Sequence, residues 1–235
     1  MRQVAWRSWT GVALVLWLGV IGVARGDVYG GSAAFAMGIN SVRMSNLATT
    51  LRGQGMPVFS KAFLTLAGTG DVYLGHVAFG FDGGSFFGNS ASNTSFETSV
   101  RGTYWAPRIG FLVLSWRNLL AYGLLGVGSS TNRLTITDRV NVLQSEYERS
   151  SSFYDLSLAA DYLFIPETEQ EWTATALFGF RIGYGLSFVT SGWRPASGNT
   201  YALNTALPHL PMTGPYFRIT LGAGWIRLDR DETDF

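Results

Sequence analysis

Cysteine is absent from the 235 residues. No disulfide can hold the fold together, and no lipid-carrying cysteine is available. Lysine is reduced to Lys61, and histidine to His76 and His209. Charged residues make up 14% of the chain, with 17 basic against 16 acidic, and so low and balanced a charge does not suit a nucleic-acid partner. No spacing of His, Asp or Glu reads as a metal site, and no phosphate-loop or nucleotide motif occurs, so neither a metal nor a cofactor is expected.

Glycine (29 residues) and aromatics (14%) are plentiful instead. Their arrangement is most regular from Glu171 to Val189. Trp172, Ala174, Ala176, Phe178, Phe180, Ile182, Tyr184, Leu186 and Phe188 fall on even positions, with mostly small or polar residues between them. Side chains alternate faces along a strand, so this segment has one apolar face and one small or polar face. It is long enough to cross a bilayer at a tilt, which takes about 9–11 residues in hydrocarbon. Phe153–Phe164 repeats the pattern, with Tyr154, Leu156 and Leu158 opposed to Asp155, Ser157 and Asp161.

Ten segments read as strands: 28–39, 58–67, 72–81, 95–104, 109–116, 119–127, 134–142, 153–164, 171–189 and 215–228. Gly68-Thr69-Gly70-Asp71 predicts a hairpin turn, and Ala106-Pro107 a strand end. With the first strand running outward, the connections on one side are short (68–71, 106–108, 129–133, 165–170). On the other side they are longer (40–57, 82–94, 143–152, 190–214), except Arg117–Asn118. Tyr29, Tyr73, Tyr104, Tyr162, Phe164, Trp172 and Trp225 are expected near the inner interface. Phe59, Phe81, Trp116, Phe153, Phe188 and Phe217 are expected near the outer one. Residues 42–52 predict a helix capped by Ser45, either an outer-loop helix or a plug in the lumen.

Before these strands, Arg2 and Arg7, the apolar run 11–23 and Ala24-Arg25-Gly26 have the form of an export signal cleaved before Asp27. The expected organisation is therefore a signal peptide over 1–26 and a single barrel domain over 27–235. Near the end, Thr220-Leu221-Gly222-Ala223-Gly224-Trp225 is similar to the assembly signal of a final barrel strand, with Arg227 standing where that pattern has an apolar residue.

On these features the mature chain resembles the small bacterial outer-membrane β-barrel proteins. The resemblance implies an all-β fold: a closed antiparallel up-and-down transmembrane barrel of eight to ten strands, ten by the segments above, with a short helix in the first long connection. It also implies a bacterium with two membranes, insertion by the outer-membrane assembly machinery, and outer-membrane lipids as surroundings. It names no substrate and no partner. The expected lumen network is Lys61, His76, Glu97, Arg101, Asp155, Asp161, Arg181 and Arg218. Candidate surface-loop contacts are Phe86, Phe87, Trp193, Arg194 and Tyr201. The functional expectation is a non-enzymatic envelope protein with a structural or loop-mediated surface role. The alternatives are a narrow porin-like channel, a lipid-modifying barrel enzyme in which His76 meets Ser99, Ser157 or Asp155, and a soluble exported barrel that binds an apolar ligand inside.

Overall fold

Phe180 is 47% exposed and its neighbour Arg181 only 4%. The alternation at the sequence level thus separates an outside from an inside. The computed structural model describes residues 27–166, 171–198 and 213–229; the expected signal segment 1–26, His209 and Tyr201 lie outside the described residues. Within these, ten strands and one helix follow one another: β1 (Asp27–Ser41), α1 (Ser45–Gly53), β2 (Ala62–Gly75), β3 (Val77–Gly88), β4 (Ala91–Ser92), β5 (Phe96–Trp116), β6 (Leu119–Asp138), β7 (Leu143–Phe164), β8 (Thr173–Thr190), β9 (Arg194–Gly198) and β10 (Gly214–Asp229).

All ten strands belong to one sheet. The ring runs β1-β2-β3-β5-β6-β7-β8-β10 and back to β1, every pair antiparallel. Eight strands therefore close the barrel, and β4 and β9 pair along the outer ends of β5 and β7. An eight-stranded barrel is just wide enough for side chains to fill.

Several strand boundaries differ from those read in the sequence. Residues 95–104 and 109–116 are one strand, β5. Pro107 has no N–H, and the β5–β6 ladder skips it, but pairing resumes in register at Arg108↔Gly126. Likewise 129–133 is part of β6. The Gly68–Asp71 segment lies inside β2, and the hairpin turns at Gly75, whose φ of +63° suits glycine, and His76. Arg117–Asn118 then falls on the same side as His76, Asp27 and Asp229. The connections at 76, 117–118 and 165–172 share that rim, whereas 42–61, 89–95 and 191–213 lie at the other together with the tight turn 139–142. The long connections are thus on one side, as in barrels of a bacterial outer membrane.

The outward face carries an apolar belt: Phe35, Met37, Leu74, Phe79, Phe81, Ile109, Leu125, Leu156, Phe178, Phe180, Ile182 and Leu221. On β7 the belt runs from Tyr154 to Phe164, which rises ~25 Å at ~3.3 Å per residue and a ~40° tilt. Trp116, Trp172 and Trp225 mark its short-turn edge; Trp105 and Phe188 mark the other. Trp116 thus sits at the opposite interface from the expected one. Tyr73, Tyr104, Phe59 and Phe153, expected at the interfaces, are buried inside. The outward position of Phe178, Phe180, Ile182 and Leu156 is the reverse of what a soluble barrel with an apolar binding interior requires.

Strands β5, β6 and β7 continue past the belt, and there the polarity of their faces inverts. In β5 the outward residues change from Phe111, Ile109 and Trp105 to Thr103, Arg101, Ser99 and Glu97. The inward ones change from Arg108 to Tyr104 and Val100. The strand passes from lipid to water at this point, so the apolar face must turn inward to be buried. Helix α1 occupies the space that this creates. Leu47 and Leu51 are fully buried with Phe59, Phe63, Phe86, Val100, Leu134 and Ile136. The helix is therefore a plug in the mouth of the barrel. Its N-cap residue is Met44, with Ser45 the first helical residue.

Candidate functional site

The middle layer of the lumen holds charge. Below it, near the short turns, an apolar floor includes Tyr73, Leu120, Tyr122, Leu163 and Leu177; above it lies the plug. Between them, Asp71 (β2), Asp82 (β3), Arg108 (β5), Asp155 and Asp161 (β7), Arg181 (β8) and Arg218 (β10) all point inward and are covered.

Asp82 is the hub. Its Oδ2 lies 2.6 Å from Arg218 Nη1, 3.5 Å from Arg181 Nη1 and 3.6 Å from Arg108 Nη1. Tyr104 Oη donates to its Oδ1 (3.0 Å). Strands β3 and β8 are diametrically opposite in the ring, so the Arg181–Asp82 contact spans the whole bore. Arg218 also stacks over the rings of Tyr216 and Tyr104, at 4.3 and 5.0 Å. Arg108 donates through Nε and Nη2 to Asp71 (3.1 and 2.7 Å) and also reaches Thr69 Oγ1. Asp155 accepts from Tyr216 Oη (3.0 Å) and Ser157 Oγ (3.5 Å), and Asp161 accepts from Thr220 Oγ1 (3.4 Å).

These contacts skip a strand. Asp71 on β2 and Arg108 on β5 meet over β3, at Gly80, which is the register partner of both. A Cβ at Gly80 would collide with Asp71 Oδ1 and lie 2.9 Å from Arg108 Nε. Thr220 and Asp161 meet in the same way over Gly179, where a Cβ would strike Asp161 Oδ1 and sit 2.7 Å from Thr220 Oγ1. Lumen-facing glycine is thus the space in which the network forms. A cavity of about 30 Å³ remains beside Asp82, Tyr104, Asp155, Tyr216, Arg218 and Asn40; that is room for about two waters.

Of the eight residues expected in the lumen, the structure brings Asp155, Asp161, Arg181 and Arg218 to the middle layer. Lys61 is exposed in the connection before β2. His76 lies in the β2–β3 turn with its Nδ1 2.6 Å from Asp27 Oδ1, and its side chain is 49% exposed. That turn is at the short-turn rim, whereas Ser157 and Asp155 are inside and Ser99 is on the outward face of the β5 extension, so the Ser-His-Asp arrangement is not assembled. Glu97 and Arg101 face outward, above the belt: Glu97 pairs with Arg139 (2.7 Å), and Arg101 approaches Glu146 (3.9 Å). The reason is the inversion of polarity described above. The sequence reading missed Asp71, Asp82 and Arg108 because it took each for a turn or loop residue. Continuing the alternation of β2 through Thr65, Thr69 and Asp71 would have found the first.

Among the candidate loop contacts, Phe86 is buried inside β3 against Phe63, and Phe87 faces outward on the same strand. Trp193 packs on the plug cluster and lies 6.0 Å from the Arg149 guanidinium. Arg194 is exposed at the start of β9. The outward face of the extension is a ladder of ion pairs, with Arg133 between Glu146 (3.5 Å) and Glu148 (3.1 Å). At its tip Asp138 accepts from the backbone N–H of Val140 (2.9 Å) and Asn141 (3.1 Å), and Val140 and Val142 stand exposed.

At the short-turn rim, Arg227 lies 3.7 Å from Glu171 and over the ring of Tyr29. That gives a local reason for a charge where the final-strand pattern has an apolar residue. Among the described residues no helix is long and apolar enough to cross a membrane, a statement that does not bear on strands.

No known family profile and no curated protein sequence matches the chain. Solved structures do. The chain is similar to the attachment invasion locus protein Ail of Yersinia pestis, with 10% identity and a TM-score of 0.44 over 85% of this chain and 98% of that one. It is similar to a major outer membrane protein from Thermus thermophilus, with 9% identity and a TM-score of 0.40 over 83% and 98%. It is also similar to Neisserial surface protein A, with 13% identity and a TM-score of 0.34 over 85% and 96%. The solved structures it resembles are bacterial outer-membrane β-barrel proteins.

Proposed function

We propose that this chain is exported through a cleaved signal over 1–26 and resides in the outer membrane. There it is a non-enzymatic, closed barrel that acts through the surface it raises above the bilayer. One observation carries this reading: Arg181 and Asp82, from opposite walls, meet at 3.5 Å in the centre of the bore. With α1 seated above them, the lumen is a packed interior, and a packed interior offers no path to a solute. The β5–β7 extension, by contrast, is built as a rigid platform whose outer face carries charges of both signs. Rigid scaffolds that present polar and apolar side chains beyond a membrane suit recognition of another surface.

The test is conductance across planar bilayers. Purified, refolded protein should give no sustained ion-conducting steps. Stable steps from the wild-type protein would replace this reading with the porin-like one. Labelling of intact cells at Val140→Cys by an impermeant maleimide should succeed, because the hairpin tip would face outward.

A further inference from the structure

Arg149 is the largest fully buried side chain of the chain's described part, at 1% exposure, and it has no carboxylate partner there. It lies in β7, beyond the belt, on the inner face of the extension. Its Nε donates to the Ser191 carbonyl (2.8 Å), while Nη1 and Nη2, both buried, have no hydrogen-bond partner. Asn132 on β6 is its direct register partner. Asn132 is also fully buried, and both its Oδ1 and its Nδ2 are unpartnered. The Cβ atoms of residues opposite each other on adjacent strands stand about 5 Å apart, so the four orphaned polar atoms are carried by two neighbouring side chains on one face.

Among the described residues no carboxylate serves them. Glu97, Glu146 and Glu148 face outward and pair with Arg139 and Arg133. Asp138 folds over the hairpin tip. The segment 199–212 contains no acidic residue. A guanidinium that is taken out of water without a counter-charge is unfavourable, and buried donors and acceptors are ordinarily satisfied. The Ser191–Trp193 stretch is what covers the site from the aqueous side: Ser191 bonds to Ser150, and Trp193 lies over Arg149.

We propose that Arg149 and Asn132 form a binding site for a phosphate group that arrives from the aqueous side. The two Nη groups form a planar fork that matches two oxygens of an oxyanion. The amide decides between oxyanions. An ionised carboxylate only accepts hydrogen bonds and would leave Asn132 Oδ1 unsatisfied, whereas a hydrogen phosphate presents both acceptor oxygens and a P–OH donor. Nδ2 then donates to one oxygen and Oδ1 accepts from the hydroxyl, so that every orphaned atom is used. Lipid phosphates are the wrong source, because the inner face of the extension turns away from the bilayer. Free phosphate and a small phosphomonoester share the chemistry. The site lies outside the membrane, so its test does not turn on whether the lumen conducts.

The experiment is equilibrium dialysis of the full-length refolded protein in detergent against radiolabelled inorganic phosphate. Unlabelled methyl phosphate and acetate serve as competitors at equal ionic strength. Folding of each variant is checked by heat-dependent gel migration. The wild type should bind one saturable equivalent, and acetate should compete at least roughly tenfold more weakly than phosphate. Displacement by methyl phosphate would identify a monoester site; failure to displace would identify free phosphate. Asn132→Leu and Arg149→Met should each abolish binding, and Arg101→Met, on the outward face of β5, should leave it unchanged. If Arg149→Met does not fold, Asn132→Leu carries the test. No binding by the wild type up to about 10 mM phosphate, equal competition by acetate, or full binding by folded Asn132→Leu would overturn the proposal.

Discussion

Replacing Asp82 with Asn removes the charge on which three guanidinium groups converge, while it keeps the side-chain volume. Arg108 retains Asp71 at 2.7 Å. Arg218 and Arg181 do not have this recourse: they are register neighbours on β10 and β8, and Asp82 is the carboxylate both of them reach. The substitution leaves two like charges side by side in a closed interior, with an amide N–H₂ turned toward one of them. Removing one partner of a buried pair costs about 3–5 kcal/mol. For a chain of this length, about 2–4 °C of melting temperature accompanies each kcal/mol, so the midpoint should fall by about 6–20 °C. The assay is thermal unfolding in detergent, followed by far-UV circular dichroism and by the shift in gel migration between folded and unfolded forms. Asp155→Asn is the control. Asp155 accepts hydroxyl hydrogen bonds from Tyr216 and Ser157, and its loss of charge should cost about 1 kcal/mol. The reasoning fails if Asp82→Asn melts with the wild type, or if Asp155→Asn is the more damaging of the two.

Other consequences are narrower. Gly179→Val should prevent folding into detergent, because its Cβ would occupy the place of Asp161 Oδ1; a heat-modifiable band from this variant would contradict the strand-skipping network. Leu51→Ala, at a fully buried position of α1, should cost about 2–5 kcal/mol and speed proteolysis within residues 42–61, whereas an unchanged cleavage rate would mean that the helix is not seated. Asp138, at the hairpin tip, has its pKa held below the ordinary 3.8 by hydrogen bonds from the Asn141 side chain and backbone. Since the folded value is the lower one, the order it gives the tip is complete above 3.8 and is lost as pH falls through the folded value. NMR resonances of Asn141 should therefore titrate only below pH 3.8, and a midpoint above it would be inconsistent with this turn.

The part of the barrel within the belt was legible in the sequence because lipid outside and a small lumen inside impose a strict period of two. That is why β8 and the lower half of β7 read with the correct face outward. The β5–β7 extension was not legible in the same way. Its alternation continues without a break, but its apolar parity switches near Trp105 on β5 and Tyr154 on β7, where the surroundings change from lipid to water. A reader who assumes lipid throughout assigns Glu97 and Arg101 to the lumen. Composition misled at Gly68–Asp71 as well: a Gly-rich tetrapeptide has the residues of a turn, but here Gly68 and Gly70 face outward in alternation with Thr69 and Asp71, which point to Arg108. The Asp82 hub joins residues 136 positions apart, and nothing local in the sequence pairs them. The plug role of α1 needed the same long-range information, since Leu47 and Leu51 find partners on β2, β3, β5 and β6.

The central claim is that adjacent residues of β8 face lipid and a closed lumen in turn. A cysteine-free chain lets Phe180→Cys and Arg181→Cys be labelled singly with an environment-sensitive fluorophore and reconstituted into bilayers that contain brominated lipid. The account predicts strong quenching by the lipid at 180. At 181 it predicts neither lipid quenching nor rapid reaction with an aqueous thiol reagent before unfolding. Lipid quenching at 181, or ready aqueous labelling at 180 in the bilayer, would contradict it.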